Sequence, residues 1–266
     1  MHDKTCFRTK QNKTLLLLLL SLVSIAIIPF LPKVGQALSF HHFSDARTIL
    51  HVPNFMNVAS NFPFLLVGIL GLVNTWRQSN AAGAKLLYTA LFTGICLTAV
   101  GSGYYHFQPG NNTLVYDRIP MTVVFMAFFC VTIARLVSKT VGVLLLAPLV
   151  IAGVASVVYW HVTELRHQGD LRWYGWVQFY PVVFIPLVML LFRTRSSPHQ
   201  FRLLGYAILW YLLAKVLEHY DQAIYHATKQ ISGHTLKHLA AGMATVCIYR
   251  LLFPKKMQDF GSGQVV

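Results

Sequence analysis

Thr140–Trp160 reads TVGVLLLAPLVIAGVASVVYW, a run without a single Asp, Glu, Lys or Arg. Crossing the hydrocarbon of a bilayer takes about 20 mostly apolar residues. Backbone N–H and C=O groups find no water there, so such a run must be a helix or belong to a closed barrel. It shows no period-two alternation, which excludes a barrel strand. Thr14–Pro32, Phe55–Thr75, Leu86–Tyr105, Ile119–Ala134 and Trp173–Phe192 are equally free of those four residue types. Leu203–Tyr220 and His234–Phe253 are apolar but carry charged or histidine residues near one end. Eight membrane crossings are therefore expected in an all-α polytopic bundle.

Whole-chain composition agrees. Charged residues make up 11% of the 266 positions and hydrophobic residues 55%, with a mean hydropathy of +0.54. An ordinary soluble domain carries roughly 25% charge, so this chain cannot coat a soluble surface. Cys6, Cys96, Cys130 and Cys247 are scattered and outline neither a disulfide framework nor a cysteine metal motif.

The net charge of +14 raises nucleic acid or anionic lipid as a partner, and its placement favours lipid. With eight crossings, the side that holds the N-terminus collects 14 of the 22 basic residues, among them Lys4, Arg8, Lys85, Arg135, Arg195, Lys255 and Lys256, against Asp3 and Asp259. The positive-inside rule makes that side cytoplasmic. A bacterial inner membrane fits, with both termini cytoplasmic and the opposite face periplasmic; an endoplasmic reticulum with a lumenal face satisfies the same rule. The first apolar run reads as an anchor rather than a cleaved signal, being long for a signal core and lacking a clean A-x-A site. Nothing in the sequence specifies an oligomeric state.

Ionisable residues at membrane depth are costly, which makes them candidates for function. They gather in three places: Ser102-Gly-Tyr-Tyr-His106 at the end of the third crossing, Tyr116-Asp117-Arg118 where the fourth opens, and Gly233-His234-Thr-Leu-Lys-His238 where the last begins. Residues four apart share a helix face, so Ser102 lies a turn from His106 and His234 a turn from His238. Following the crossings puts all five side chains at the non-cytoplasmic face. Three histidines with an open fourth position form the usual ligand set of a catalytic zinc. Such an ion activates water near neutral pH and polarises a carbonyl. Ser102 could then steady an oxyanion and Asp117 relay a proton. A lone histidine at a helix end is usually only an interfacial polar residue; the convergence of three elements argues otherwise.

SGYYHFQPGNNTLVYDRIPM, SGHTLKHLAAG and PNFMNVASNFPFLLVGILGL together resemble the alkaline ceramidase family, seven-helix intramembrane zinc amidases in a superfamily that includes the adiponectin and progestin receptors. The resemblance runs from about His42 to Phe253. It implies a seven-helix core over 42–253, one extra N-terminal helix with its loop in 1–41, and a cytoplasmic tail over 254–266. It also implies zinc on His106, His234 and His238, with Ser102 and Asp117 beside the metal, and a lipid substrate of the ceramide type. The family's calcium site would fall on Asp45, Asn54 and Asn57. Asn54 stands where the family favours glutamate, and an Asp-Trp-x-Glu stretch is missing, so that set is incomplete here.

Four further expectations concern the surroundings. Asn57 and Asn61, one turn apart, fit interhelical hydrogen bonding at least as well as a functional role. Lys215-x2-Glu218-x2-Asp221 suggests an ion-pair network supporting the site. Trp160, Trp173, Tyr174, Trp176 and Tyr180 suggest an interfacial aromatic belt, and His41 and His42 an exposed loop. The reading these features favour is a zinc-dependent hydrolase cleaving the amide of an N-acyl lipid. A lipid receptor or sensor of the same fold, a lipid esterase and a transporter are its rivals.

Overall fold

The computed structural model describes residues 2–78, 81–193 and 197–254, and within them the chain is an all-α bundle with no β-strand beyond an isolated bridge between Ile49 and Val52. The basic Arg195, Lys255 and Lys256, the acidic Asp259 and nearly all of the expected tail lie outside those residues. The helices are α1 (His2–Ile27), α2 (Phe55–Ala59), α3 (Phe62–Gln78), α4 (Ala82–Phe107), α5 (Asn111–Leu136), α6 (Lys139–Leu165), α7 (Arg172–Leu191), α8 (Pro198–His219), α9 (Asp221–Thr228) and α10 (Gly233–Leu252). Seven spans, counting α2 and α3 as one, are long and apolar enough to cross a membrane. The chain is an integral, multi-pass membrane protein. Helix α10 has the length for an eighth crossing, but His234, Lys237 and His238 in its first two turns lower its apolarity.

Helix α5 is the central post, packed against α4, α6 and α7, while α10 lies against α8 and α3. In lipid the hydrophobic effect gives no reason for helices to associate, so close packing over small residues must supply it. Gly68 sits against Cys96, Gly71 against the Phe92 ring and Gly142 against Ala134. Two of these close approaches position the site. Any side chain at Gly101 would strike the carbonyl of Tyr116, and one at Gly233 the carbonyl of Leu217. Without Cβ atoms there, α4 reaches α5 next to Ser102, and α10 starts flush against the end of α8.

Helix ends follow local chemistry. Ser138 and Ser232 cap α6 and α10 through their hydroxyls, and Ser197 forms a reciprocal capping box with Gln200. The expected second crossing is broken at Ser60–Asn61, because Pro63 has no N–H to continue the ladder. Helix α8 stops at Tyr220, one residue before Asp221, so the Lys215-x2-Glu218-x2-Asp221 pattern does not run along one helix.

The aromatic-belt expectation holds poorly. Trp160 is fully buried, and Tyr174 and Tyr180 are buried as well. They face the bundle interior, where Trp160 and Tyr174 enclose the Arg118 guanidinium. His41 is likewise half-buried, bonded to the Tyr105 hydroxyl at 3.0 Å and to Asn111 at 2.9 Å, whereas His42 is exposed.

Candidate metal centre

The three histidines meet. His106 comes from the last turn of α4, His234 and His238 from the first turns of α10, and all three are buried. The Nε2 of His106 lies 3.2 Å from that of His238 and 3.4 Å from that of His234, and one nitrogen from each ring falls within 4.8 Å of the others. Tetrahedral zinc with Zn–N near 2.0–2.1 Å separates its ligand nitrogens by roughly 3.3 Å. The spacing fits, and a buried set of imidazole nitrogens is chemically suited to zinc.

The tautomer of His238 can be worked out from its neighbours. Ser60 Oγ donates to the Asn57 carbonyl at 3.1 Å and lies 2.7 Å from His238 Nδ1. With its proton committed, Ser60 accepts from Nδ1–H, leaving the Nε2 lone pair free to point at a metal. Outer hydrogen bonds of this kind orient ligand histidines. The far flank of the site is closed by Phe43, whose ring centre lies 4.7 Å from those of both His106 and His234. Neither Ser60 nor Phe43 stood out in the sequence. Both precede the helices that bear the histidines, and only tertiary contact brings them in.

Asn54 has left-handed backbone dihedrals (φ 50°, ψ 37°), which asparagine adopts more readily than most residues. Its side-chain amide donates to the His106 carbonyl at 2.9 Å, satisfying an otherwise open C-terminal group of α4. Asn57 accepts from Thr235 at 2.8 Å and so joins α2 to α10; Asn61 donates to the Asn57 carbonyl at 2.8 Å. These are the interhelical and local bonds the spacing suggested. The Asp45 carboxylate is held by Arg47 at 2.7 and 2.8 Å, which keeps it below the usual carboxylate range. The oxygens proposed for calcium on Asp45 and Asn57 thus already face Arg47 and Thr235.

The ion-pair expectation needs a correction. Glu218 does pair with Lys215, at 2.9 Å, but the network's other member is Lys237 of α10, 2.5 Å from Glu218, and Asp221 takes no part in it. Because α8 ends before it, Asp221 turns to the backbone: Oδ1 accepts from the His234 N–H at 2.7 Å and Oδ2 from Ser44 at 3.1 Å. It caps the helix carrying two of the clustered histidines and ties that cap to the segment bearing Phe43. Lys237 escaped the sequence reading because its partner lies nineteen positions earlier, on another helix.

A cavity of about 300 Å³ opens onto the centre. Ser102, Asp117 and His238 line it together. From there the lining becomes apolar along Phe125 and Phe128 of α5, Ile185 of α7, Leu204 of α8 and Ile248 of α10. On α10 alone it runs from Lys237 to Ile248, about 16 Å at 1.5 Å per residue. The three-histidine cluster, Ser102 and Asp117 thus stand at the polar end of an elongated apolar space. No known protein-family model matches the chain, and no curated protein matches it significantly.

Proposed function

We propose that the protein is a zinc-dependent amide hydrolase that cleaves the N-acyl bond of ceramide, or of a similar N-acyl lipid, into free fatty acid and sphingoid base. The observation that carries this reading is the convergence of three buried Nε2 atoms beside Ser102 and Asp117 where an apolar cavity ends. The quoted likeness to alkaline ceramidases supports it independently of the geometry.

His106, His234 and His238 would hold the ion, which when bound supplies Lewis-acid activation of water and of the carbonyl. The remaining steps belong to this chain. The apolar walls on α5, α7, α8 and α10 hold the acyl chain and set the amide at the polar end. Ser102 Oγ donates to the carbonyl oxygen as it gains negative charge. The Asp117 carboxylate takes a proton from the attacking water and delivers it to the leaving nitrogen. One water is consumed, a C–O bond forms, the C–N bond breaks, and amine and carboxylic acid result. Phe43 keeps bulk water from the back of the histidines. The charge bias supports a non-cytoplasmic position for this face, periplasmic in a bacterial inner membrane or lumenal in an endoplasmic reticulum.

Purified protein should release fatty acid from ceramide, stop when zinc is chelated and recover when zinc returns. Release from an acyl ester but from no amide would make it an esterase. Binding of lipid with no turnover of either bond, in a zinc-replete preparation, would favour a receptor and end the hydrolase reading.

A further inference from the structure

Arg118 follows Asp117 on α5, is only 6% exposed and lines the same cavity. Its guanidinium carbon lies 4.1 Å from the Trp160 ring centre and 4.5 Å from that of Tyr174. Nη2 donates to Gln36 Oε1 at 2.5 Å, while Nη1 is buried with no hydrogen-bond partner. No carboxylate among the described residues comes within ion-pair distance of it. Glu164 accepts from Gln36 and Trp160, and Glu218 from Lys215 and Lys237, while Asp117, next to Arg118 in the chain, acts on it only from beyond ion-pair distance.

A guanidinium remains charged at any physiological pH, and a buried charge without a counter-ion is unfavourable. The two aromatic faces offset part of that cost by cation–π attraction. They leave Nη1 without a lone-pair acceptor. The planar fork is matched by carboxylate or phosphate oxygens. Among the charged cavity residues, Arg118, Lys215 and Lys237 outnumber Asp117 and Glu218, so the polar end carries excess positive charge.

Position decides which part of a ligand meets this charge. The apolar lining leads away from the centre toward Phe128 and Ile248, and an acyl chain belongs there. With the amide beside Ser102 and Asp117, the amine portion of the lipid is left at the level of Arg118. We propose that Arg118 forms an anion subsite selecting N-acyl lipids whose amine portion carries a carboxylate or a phosphate over neutral ones. This specificity rests on the amide-hydrolase reading.

The test uses full-length, zinc-loaded protein and three N-lauroyl substrates: neutral ceramide, a ceramide phosphate and an N-lauroyl amino acid. At least one acidic substrate should exceed ceramide in kcat/KM by about tenfold, the scale of a charge-assisted hydrogen bond; comparing the two acidic substrates separates phosphate from carboxylate heads. Arg118→Gln should bring the ratio near unity, and Arg118→Lys should keep only part of it. Equal or better use of ceramide by the wild type overturns the proposal, even if neither variant folds. So does a ratio unchanged in Arg118→Gln. If that ratio is unchanged but inhibition by free laurate weakens, Arg118 serves the released fatty acid and the proposal falls. A second measurement is independent of turnover: dodecyl phosphate should raise the wild-type Tm more than that of Arg118→Gln, with dodecanol acting equally on both. That difference in the absence of any amide cleavage would keep the subsite and discard the hydrolase. Cleavage with no difference would do the reverse.

Discussion

Helices α1 and α10 are both long enough to cross a bilayer, and they use their surfaces in opposite ways. The apolar stretch Gln11–Phe30, most of it in α1, is strongly hydrophobic and only about a tenth buried within the protein. Leu15, Leu18 and Leu22 are more than half exposed, as befits a helix solvated by lipid. Helix α10 is less apolar, yet twelve of its twenty residues are buried and two are candidate metal ligands. In this pair the higher hydropathy goes with a lipid-facing surface, and the helix that bears two of the clustered histidines is solvated by other helices. A polar residue costs least in a membrane where protein already surrounds it.

The sharpest way to break that contrast is to truncate one side chain in each helix. His238→Ala should strip zinc from the purified protein and abolish lipid-amide turnover. Leu18→Ala on α1, a larger loss of apolar surface, should change neither. Metal analysis beside fatty-acid release reads both outcomes. A His238→Ala protein that retains zinc would show that the histidines meet for packing alone.

Next in size is the close approach that seats α10. Gly233→Ala pushes a methyl toward the Leu217 carbonyl and the Asp221 backbone, neither of which is a flexible side-chain end. Overpacking of this kind costs about 1–3 kcal/mol, seen as a lowered Tm. Gly205 on α8 has open space around it, so Gly205→Ala should be neutral or slightly stabilising. Smaller still is Ser60→Ala, which leaves His238 Nδ1 without its partner. Zinc affinity should then weaken by about 10–100-fold, measured by competition with a chelator, while the fold survives.

Legibility in the sequence divides along the same line. Six uncharged runs of membrane length, with the apolar but partly charged stretch that forms α8, exposed the bundle and seven of its spans, because lipid imposes one simple demand on every residue it touches. Ser102, His106, Asp117, His234 and His238 were legible too, since local spacing and the parity of crossings were enough to place them at one level. Contacts between distant segments were not legible. Ser60 under His238, Phe43 against two imidazoles and Lys237 opposite Glu218 each depend on interhelical approach, which no local period encodes. Trp160 and Tyr174 misled for the same reason. Aromatic residues beside a loop fit a lipid interface, and only packing reveals the Arg118 guanidinium between them.

The smallest effect concerns how α1 is fastened. Arg172 donates to the carbonyls of Pro29 and Leu31 at 2.9 and 2.8 Å, just past the end of α1, and is itself gripped by Asp170 at 2.7 and 2.9 Å. That grip lowers the Asp170 carboxyl from 3.8 to about 2, chiefly through the Arg172 hydrogen bonds. A carboxyl depressed in the folded state stabilises it fully above its unfolded pKa, and the contribution fades as pH falls through the folded value. The Tm difference between wild type and Asp170→Asn should therefore be constant from neutral pH down to about 5, then shrink between about 4 and 2. A difference that already varied near pH 6 or 7 would mean that another group, and not this clasp, secures α1. Since α1 packs on the bundle mainly along α7, releasing it should leave zinc content unchanged, which places the clasp and the metal centre in separable parts of the molecule.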